Sequence, residues 1–383
     1  MPREAMPITP SVLTWARERA GLSLEDASQT FRAIAAWERG ERFPTYPQLE
    51  KLSDTLKVPV AVFFFPEPPD LPSISETFRT LGMEQFERIP SRIRLLLRKA
   101  RAFQMGLEEL NNGRNPAERL ITRDLAFEPS SPVDTVARKV REYLGIPIEQ
   151  QFAWADDAVA LENWRKALVR VGVYVFKDQF RQDDFSGFCL YDDEFPIIYV
   201  NNTTTKTRQI FTLFHELAHL LFHTSGIDTL EDEYIDMLPR DERRIEIICN
   251  RLAARLLVPD AVFERASSGQ PVTEATAEEL ARLFKVSREF IFRKFLDRKL
   301  ISQADYESAA RRWAAQQRPG SGGDHYRTKM AYLGPDYVRL AFTRFYQHQI
   351  DEGQLADYLD TKPRNLARLE EYAAAGAADG IHF

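Results

Sequence analysis

The chain has 383 residues and a formal net charge of −6, and 44% of its residues are hydrophobic, 28% charged and 11% aromatic. This length suits two or three domains, and the composition excludes a chain that is disordered throughout. No apolar run approaches the roughly 18 residues that a membrane-spanning helix needs, and the acidic charge balance excludes a general attraction to nucleic acid.

The first part of the chain is predicted to be helical. Apolar residues recur at helical spacing in residues 10–66, and the proline-rich stretch 66–72 (PEPPDLP) is typical of a linker. A longer amphipathic helix is expected over 90–112. Residues 88–101 hold six basic groups and no acid, which we interpret as the solvated face of that helix, with contact to DNA as the alternative.

The central part of the chain combines helices with strands. Helices are expected over 133–144 and 158–171, and the pattern changes after Gly172. Three β-branched and aromatic runs follow, VYVF (173–176), GFCLY (187–191) and PIIYV (196–200). They predict a small antiparallel sheet packed on helices, and the next helix is expected to begin near Thr207.

Three of the six histidines lie close together, at positions 215, 219 and 223. On a helix, His215 and His219 lie one turn apart on the same face, where two imidazoles bind one Zn²⁺ at ~2.0–2.1 Å each. Glu216 between them is placed to act as a general base on water. The neighbouring helix residues are apolar on all sides, which a solvated polar face does not explain. We therefore predict a zinc site.

Catalytic zinc needs a third protein ligand. His223 continues the series, but each four-residue step turns the helix by about 40°, so a place at the helix end or beside a ligand suits it better. Glu246 is the favoured ligand, because a carboxylate within the apolar helix pattern 245–259 needs a cation. An ion pair with a preceding arginine is the alternative. Asn250, one turn later, is placed to orient Glu246 or the histidine pair.

Two segments carry a family resemblance. RQIFTLFHELAHLLFH (208–223) and EIICNRLAARLLVP (246–259) together resemble the ImmA/IrrE family of metallopeptidases. This resemblance implies a zincin-like core that cuts a helix-turn-helix repressor or an antitoxin. The site residues that it implies are the zinc ligands His215, His219 and Glu246, with Glu216 as general base. The candidates for stabilising the oxyanion are Tyr234, Arg243 and His223.

Two other segments are similar to DNA-binding elements. LTWARERAGLSLEDA and AAWERGERFPTYPQLEKLSDTLKVPVAVFFF, within residues 10–66, resemble the Xre/Cro-type helix-turn-helix domain, although residues 23–37 are short for its turn and recognition helix. DNA binding and partner docking both stay open for this domain. Residues 277–301 have the spacing of two helices across a tight turn, and 281–300 carry a net charge of +5. DNA contacts are expected there at Arg288, Arg293 and Lys294.

We therefore predict a mostly helical α+β protein that is cytoplasmic and free of membrane contact. The expected domains are an Xre-like domain (1–70), a helical connector (71–150), a zincin-like core (151–265), a helix-turn-helix-like segment (266–318) and a helical unit (324–383). The expected function is that of a zinc endopeptidase whose substrate enters as a strand beside GFCLY or PIIYV. The alternative is a non-catalytic DNA-binding regulator or antitoxin. A toxin partner, operator DNA and homodimer formation are further expectations.

Overall fold

The computed structural model describes residues 5–20, 22–56, 58–69, 89–182, 184–224, 227–229, 240–314 and 325–379. The chain forms two compact units, Met1–Lys99 and Ala100–Phe383. Within the described ranges, no helix is both long enough and apolar enough to cross a bilayer.

The first unit is a small helical bundle. Its elements are α1 (Pro10–Arg19), α2 (Leu24–Thr30), α3 (Ile34–Glu38), α4 (Tyr46–Leu56) and a 3₁₀ turn (Val60–Phe64). Ser23 caps α2 by accepting a hydrogen bond from the backbone N–H of Asp26, which forms a capping box. The buried Arg17 forms an ion pair with the partly buried Glu38, with Nε 2.6 Å from Oε1, and this pair links α1 to α3.

Helices surround the sheet of the second unit. The elements before the sheet are α5 (Ser91–Leu110), α6 (Ile121–Asp124), α7 (Val133–Leu144), α8 (Ile148–Ala153) and α9 (Asp157–Arg170). The strands and their intervening helix are β1 (Tyr174–Asp178), β2 (Phe185–Leu190), β3 (Ile197–Asn201), α10 (Lys206–Leu221) and β4 (Ile227–Thr229).

More helices follow the sheet. The first group contains α11 (Arg240–Leu257), α12 (Asp260–Ser267), α13 (Glu274–Phe284), α14 (Arg288–Asp297) and α15 (Gln303–Ala314). The second group contains α16 (His325–Leu333), α17 (Pro335–Tyr346), α18 (Glu352–Tyr358), a 3₁₀ turn (Pro363–Asn365) and α19 (Leu366–Asp379).

The sheet is mixed, so the expectation of an antiparallel sheet was wrong. The described strands lie in the order β1-β3-β2-β4, with β3 antiparallel to β2 and parallel to β1. The sequence shows where each strand lies. It does not show that β3 lies between β1 and β2, because this order depends on pairing between residues far apart in the chain. The central position of β3 agrees with the burial of all five of its residues.

Both faces of the sheet are covered. On one face, Val175, Cys189 and Ile198 join the core that α9 and α10 complete. On the other face, aromatic rings stack: Phe103 of α5 lies 4.6 Å from Phe176, centroid to centroid. Burial on both faces explains why the strands read as nearly continuous apolar runs and not as alternating ones.

The strand order also bears on the expected substrate position. PIIYV forms most of β3, whose two edges are both paired, so a substrate strand has no place beside it. GFCLY lies mostly in β2, which pairs with β3 on one side and, between Phe185 and Phe188, with β4 on the other. Among the described strands, the outer edges belong to β1 and β4.

Candidate metal centre

The two histidines lie on α10, which we call the histidine helix. Thr205 caps its amino end by accepting a hydrogen bond from the backbone N–H of Arg208 at 3.2 Å. Apolar side chains such as Leu213 and Leu217 are buried around almost the whole circumference of the helix, and so are His215 and His219. A polar pair in such a place needs a partner, because burial without one costs free energy.

Helix α11 brings the carboxylate to the histidines. Its buried face includes Cys249 and Ala253, both fully inaccessible to solvent. Small side chains on this face allow α11 to pack closely against the histidine helix. Glu246 lies one turn before Asn250 on α11, and both side chains reach the histidine helix. The site therefore depends on the packing of two helices that an intervening segment separates.

The ligand cluster consists of His215, His219 and Glu246, whose ligand atoms all lie within 4.8 Å of one another. The two Nε2 atoms are 3.2 Å apart, and each lies 3.2 Å from an oxygen of Glu246. A tetrahedral ion ~2.0 Å from each ligand would hold the ligand atoms roughly 3.3 Å apart. The spacing of the cluster therefore suits one tetrahedral ion.

The outer nitrogen of each imidazole has its own partner. Nδ1 of His215 donates to Oδ1 of Asn250 at 3.0 Å, and Nδ1 of His219 lies 3.4 Å from Oγ1 of Thr224. The Thr224 hydroxyl donates to the backbone oxygen of His219, so its oxygen is left to accept from the ring. Protons on both Nδ1 atoms leave the Nε2 lone pairs directed into the cluster, as metal ligation requires.

Glu246 is held in its charged form. Burial by itself would raise the pKa of the Glu246 carboxyl, but attraction and hydrogen bonding to His219 and His215 outweigh burial and keep that pKa far below its ordinary range. The carboxylate is therefore favoured in its anionic form, which is the form that binds a metal ion.

Glu216 lies between the histidine helix and β2. Its side chain is buried, and a Cβ built at Gly187 of β2 would lie 3.7 Å from its Oε1. The same Cβ would lie only 2.3 Å from Cγ2 of Thr212, so glycine is needed where the strand passes the helix. This close approach keeps the Glu216 carboxylate in a confined space between the histidine helix and β2.

Part of the chain is similar to known proteins. Residues 169–295 match the IrrE N-terminal-like domain, a peptidase family. They include both histidines, Glu216 and Glu246. We call this segment the IrrE-like domain.

Two relatives are similar to a segment of 99 residues, which is 25% of this chain. They are the radiation response metalloproteases IrrE of Deinococcus deserti, 37% identical, and of Deinococcus radiodurans, 33% identical. The segment covers 34% and 30% of their respective lengths, so the chain spans about a third of the relatives it matches. These similarities support an ImmA/IrrE-type metallopeptidase domain.

The other predicted site residues take different places. His223 lies at the exposed carboxyl end of the histidine helix, where its Nε2 is 3.2 Å from the backbone oxygen of Thr122. Its ring is tilted against that of Tyr191, with the centroids 4.9 Å apart. Arg243 is exposed on α11, one turn before Glu246. Tyr234 lies outside the described residues. Neither His223 nor Arg243 has a ligand-cluster atom among its described contacts.

The predicted DNA-contacting residues are spread over different environments on α14. Lys294 is buried, and its Nζ lies 3.1 Å from the backbone oxygen of Val258 and 2.9 Å from Oδ1 of Asp260. The expected phosphate contact does not fit this burial. Arg288 lies over the ring of Trp313, 4.8 Å from its centroid, and Arg293 is exposed with its Nε 3.2 Å from Asp297.

Sequence reasoning missed three residues of the site. Thr224 contacts His219, and Gly187 and Thr212 set the approach of β2 to the histidine helix. The only sequence signal for Thr224 is its place directly after the histidine run. No pattern marks Gly187, because its role depends on a helix about two dozen positions later.

Proposed function

We propose that the chain is a zinc-dependent endopeptidase that cleaves a partner protein. The observation that carries this proposal is the ligand cluster: two Nε2 atoms and a carboxylate, about equally spaced at 3.2 Å, with the buried Glu216 directly after His215 on the same helix. Two histidines and one carboxylate are a ligand set of catalytic zinc, which leaves a fourth position open. The similarity of the IrrE-like domain to a peptidase family supports the same conclusion.

His215, His219 and Glu246 would hold the ion. When bound, zinc supplies Lewis-acid chemistry: it polarises a carbonyl and acidifies water. Asn250 and Thr224 keep the two imidazoles in the tautomer that ligation needs. Glu216 would accept a proton from the attacking water at a carboxylate oxygen and then deliver it to the leaving amine.

The substrate would enter as an extended strand at the outer edge of the sheet. Asp228 of β4 pairs with Gly187 of β2, and Gly187 lies against Thr212 and near Glu216. A peptide could pair through main-chain hydrogen bonds with the outer edge of β4, which has no partner among the described strands. It would then lie two strands away from Gly187, the residue that confines Glu216. This proposal replaces the earlier expectation of a substrate beside PIIYV.

Selectivity would come from recruitment of the partner, because main-chain pairing is indifferent to sequence. The relatives are named as radiation response proteases. We propose that this chain also acts in a regulated response, and that its substrate is a helix-turn-helix repressor or an antitoxin. The Xre-like first unit would dock this partner. A toxin partner, operator DNA and homodimer formation remain predictions.

The experiment that tests the function begins with metal analysis of the purified protein. We expect about one zinc per chain, lost in His215→Ala, His219→Ala and Glu246→Ala. Glu216→Gln should keep the zinc, because it removes the base and no ligand. Incubation with the products of neighbouring genes, followed by mass spectrometry, should then reveal a cleaved protein.

Glu216→Gln is the matched control for this cleavage, and it should leave every candidate partner intact. Cleavage at an unchanged rate by Glu216→Gln would contradict the proposed base. Zinc retained in Glu246→Ala would contradict the proposed third ligand.

A further inference from the structure

A cavity of about 820 Å³ is lined by residues of the histidine helix, α11 and α14. It adjoins the ligand cluster, because its lining includes Asn250, which accepts from Nδ1 of His215, and Phe211, whose ring centroid lies 6.4 Å from that of His215. An extended peptide covers this distance in about two residues at ~3.3 Å each. A side chain close to a peptide bond held at the ligand cluster can therefore enter the cavity.

Helix α14 contributes an aromatic ring to the lining. The ring centroid of Phe290 lies 6.2 Å from that of Phe211, so two rings from two different helices lie next to each other at the cavity. Both rings are only half-buried. The buried side chains of Leu257 and Val286 extend the apolar part of the lining. A ligand that covers the two rings removes apolar surface from water, which is favourable.

The packing of α14 fixes the position of Phe290. Ser287 caps the helix by accepting a hydrogen bond from the backbone N–H of Phe290 at 3.0 Å. The side chains of Ile291, Phe292 and Phe295 are buried in the core. Rotation of α14 about its axis would expose these three side chains to water, so the helix holds Phe290 at the cavity.

The three charged residues of the lining have partners of their own. Arg293 lies 3.2 Å from Asp297, and Glu289 accepts from the hydroxyl of Tyr306 at 3.2 Å. Arg208 donates to a hydroxyl of β2 at 2.9 Å. A charged side chain that entered the cavity would lose water next to two aromatic rings, which costs free energy. The apolar part of the lining therefore favours an apolar side chain.

We infer that this cavity receives a large apolar side chain of the substrate, such as Leu, Met or Phe, within two residues of the scissile bond. Phe290 is the residue that gives the cavity this preference. Helix α14, the second helix of the helix-turn-helix-like residues 277–301, then contributes to substrate selection. The inference rests on the proposed function and specifies its substrate: a segment with a large apolar residue next to the cut.

Peptide binding is measured first, on the zinc-loaded Glu216→Gln protein, in which cleavage is blocked. The probes are short fluorescein-labelled peptides that carry Phe, Leu, Ala or Glu at a single position, one or two residues before or after the central bond. In one series, we expect the Leu and Phe peptides to bind about tenfold more tightly than the Ala peptide. Fluorescence anisotropy measures the difference. Equal binding of the Leu, Phe and Ala peptides in every series would overturn the inference.

Variants of Phe290 in the same Glu216→Gln background test the role of the ring. Phe290→Ala should largely remove the preference for Leu over Ala, Phe290→Leu should keep part of it, and Phe290→Lys should shift it towards the Glu peptide. Zinc content shows that each variant has kept its fold. Leu300→Ala is the matched control, because Leu300 is an exposed apolar residue after α14 that does not line the cavity. A preference that survives unchanged in all three Phe290 variants would overturn the inference.

A second measurement distinguishes this inference from the proposed function. Active protein and its Phe290→Ala variant are each incubated with a mixture of unfolded proteins, and the cleavage sites are mapped by mass spectrometry. Large apolar residues enriched within two positions of the cut, and less enriched in Phe290→Ala, support both ideas. Cleavage with no such enrichment and no preference in binding overturns the inference and leaves the peptidase. Selective binding that depends on Phe290, without any cleavage, supports the cavity as a binding site and contradicts the peptidase.

Discussion

A hydrogen bond of Asn250 connects α11 to the histidine helix. Its Oδ1 accepts from Nδ1 of His215, while Glu246, one turn earlier on α11, approaches Nε2 of the same ring. The ring of His215 is therefore held at both nitrogens by one helix. A contact of this kind raises the basicity of a metal-binding imidazole and fixes its orientation.

We predict that Asn250→Ala weakens zinc binding by about 10–100-fold without unfolding the protein. The reason is that the His215 ring loses the acceptor that selects its tautomer. Asn250→Asp, which keeps an acceptor oxygen, is the control and should retain most of the affinity. Competition with a chelator of known zinc affinity measures the change. An unchanged affinity in Asn250→Ala would show that packing alone orients the ring.

A cluster of ion pairs connects the helices α11, α12 and α14. The carboxylate of Asp260, at the start of α12, contacts Arg255 of α11, Lys294 at 2.9 Å and Arg298 at 3.0 Å. Three cations thus share one carboxylate. Burial, together with the neighbouring Arg255 and Arg298, lowers the pKa of Lys294 to about 7.

This shift makes stability depend on pH in a defined direction. An unfolded lysine keeps its proton to about pH 10, so between pH 7 and 10 the unfolded chain binds more protons at residue 294 than the folded chain. The contribution of Lys294 to the free energy of unfolding therefore rises with pH between pH 7 and 10. Lys177, whose pKa burial lowers to about 8, adds to the same trend.

We predict that Lys294→Met reduces this rise by at most about 1.4 kcal/mol per pH unit. Lys299→Met is the control, because Lys299 is an exposed lysine of the same segment. Urea unfolding at several pH values between 7 and 10 measures the free energies. An equal slope in the wild type and in Lys294→Met would mean that Lys294 keeps its proton in the folded state.

Helix α3 bears on the DNA-binding alternative. It has only five residues, Ile34–Glu38, and two of them, Ile34 and Trp37, face the core of the first unit. A recognition helix must present several side chains to the major groove. Residues 1–66 also carry eight basic and eight acidic groups, a balance that gives no electrostatic grip on phosphates. Both features argue against the DNA-binding alternative, and they are compatible with the partner docking that we propose for this unit.

At the scale of the whole molecule, the carboxyl-terminal helices are attached to the sheet of the IrrE-like domain. The buried Arg165 of α9 donates to the backbone oxygens of Val175 in β1 and of Ala331 in α16. Tyr337 of α17 packs edge-on against Phe176, with the ring centroids 5.1 Å apart. These contacts cover one face of the sheet, so the segment 325–379 is part of the folded core.

We predict opposite effects from deletions at the two ends of the chain. Removal of residues 1–70 should leave zinc binding intact while it abolishes or broadens cleavage of the partner, because it removes the unit that we propose to dock the partner. Removal of residues 325–383 should destabilise the protein, because it exposes the aromatic face of the sheet. Metal analysis, thermal unfolding and cleavage assays measure these effects. Equally selective cleavage after the first deletion would contradict recruitment by the first unit.

Much of the candidate metal centre could be predicted from short-range patterns. The helical period places His215 and His219 on one face wherever this segment is a helix, and the apolar sequence around Glu246 indicates a carboxylate in need of a cation. The strand runs are also local, so β1, β2 and β3 lie within about two residues of their predicted bounds. These features depend on residues a few positions apart, whose geometry the backbone itself limits.

The remaining features depend on residues far apart in the chain, and only the tertiary structure determines them. The parallel pairing of β3 with β1, the burial of Lys294 against Val258 and the approach of Gly187 to Thr212 each join distant segments. The local sequence around a lysine in a basic stretch does not show whether its ammonium group is exposed to water or buried against a backbone carbonyl. Long-range packing selects between these outcomes, because the free energy of burying a group depends on which neighbours enclose it.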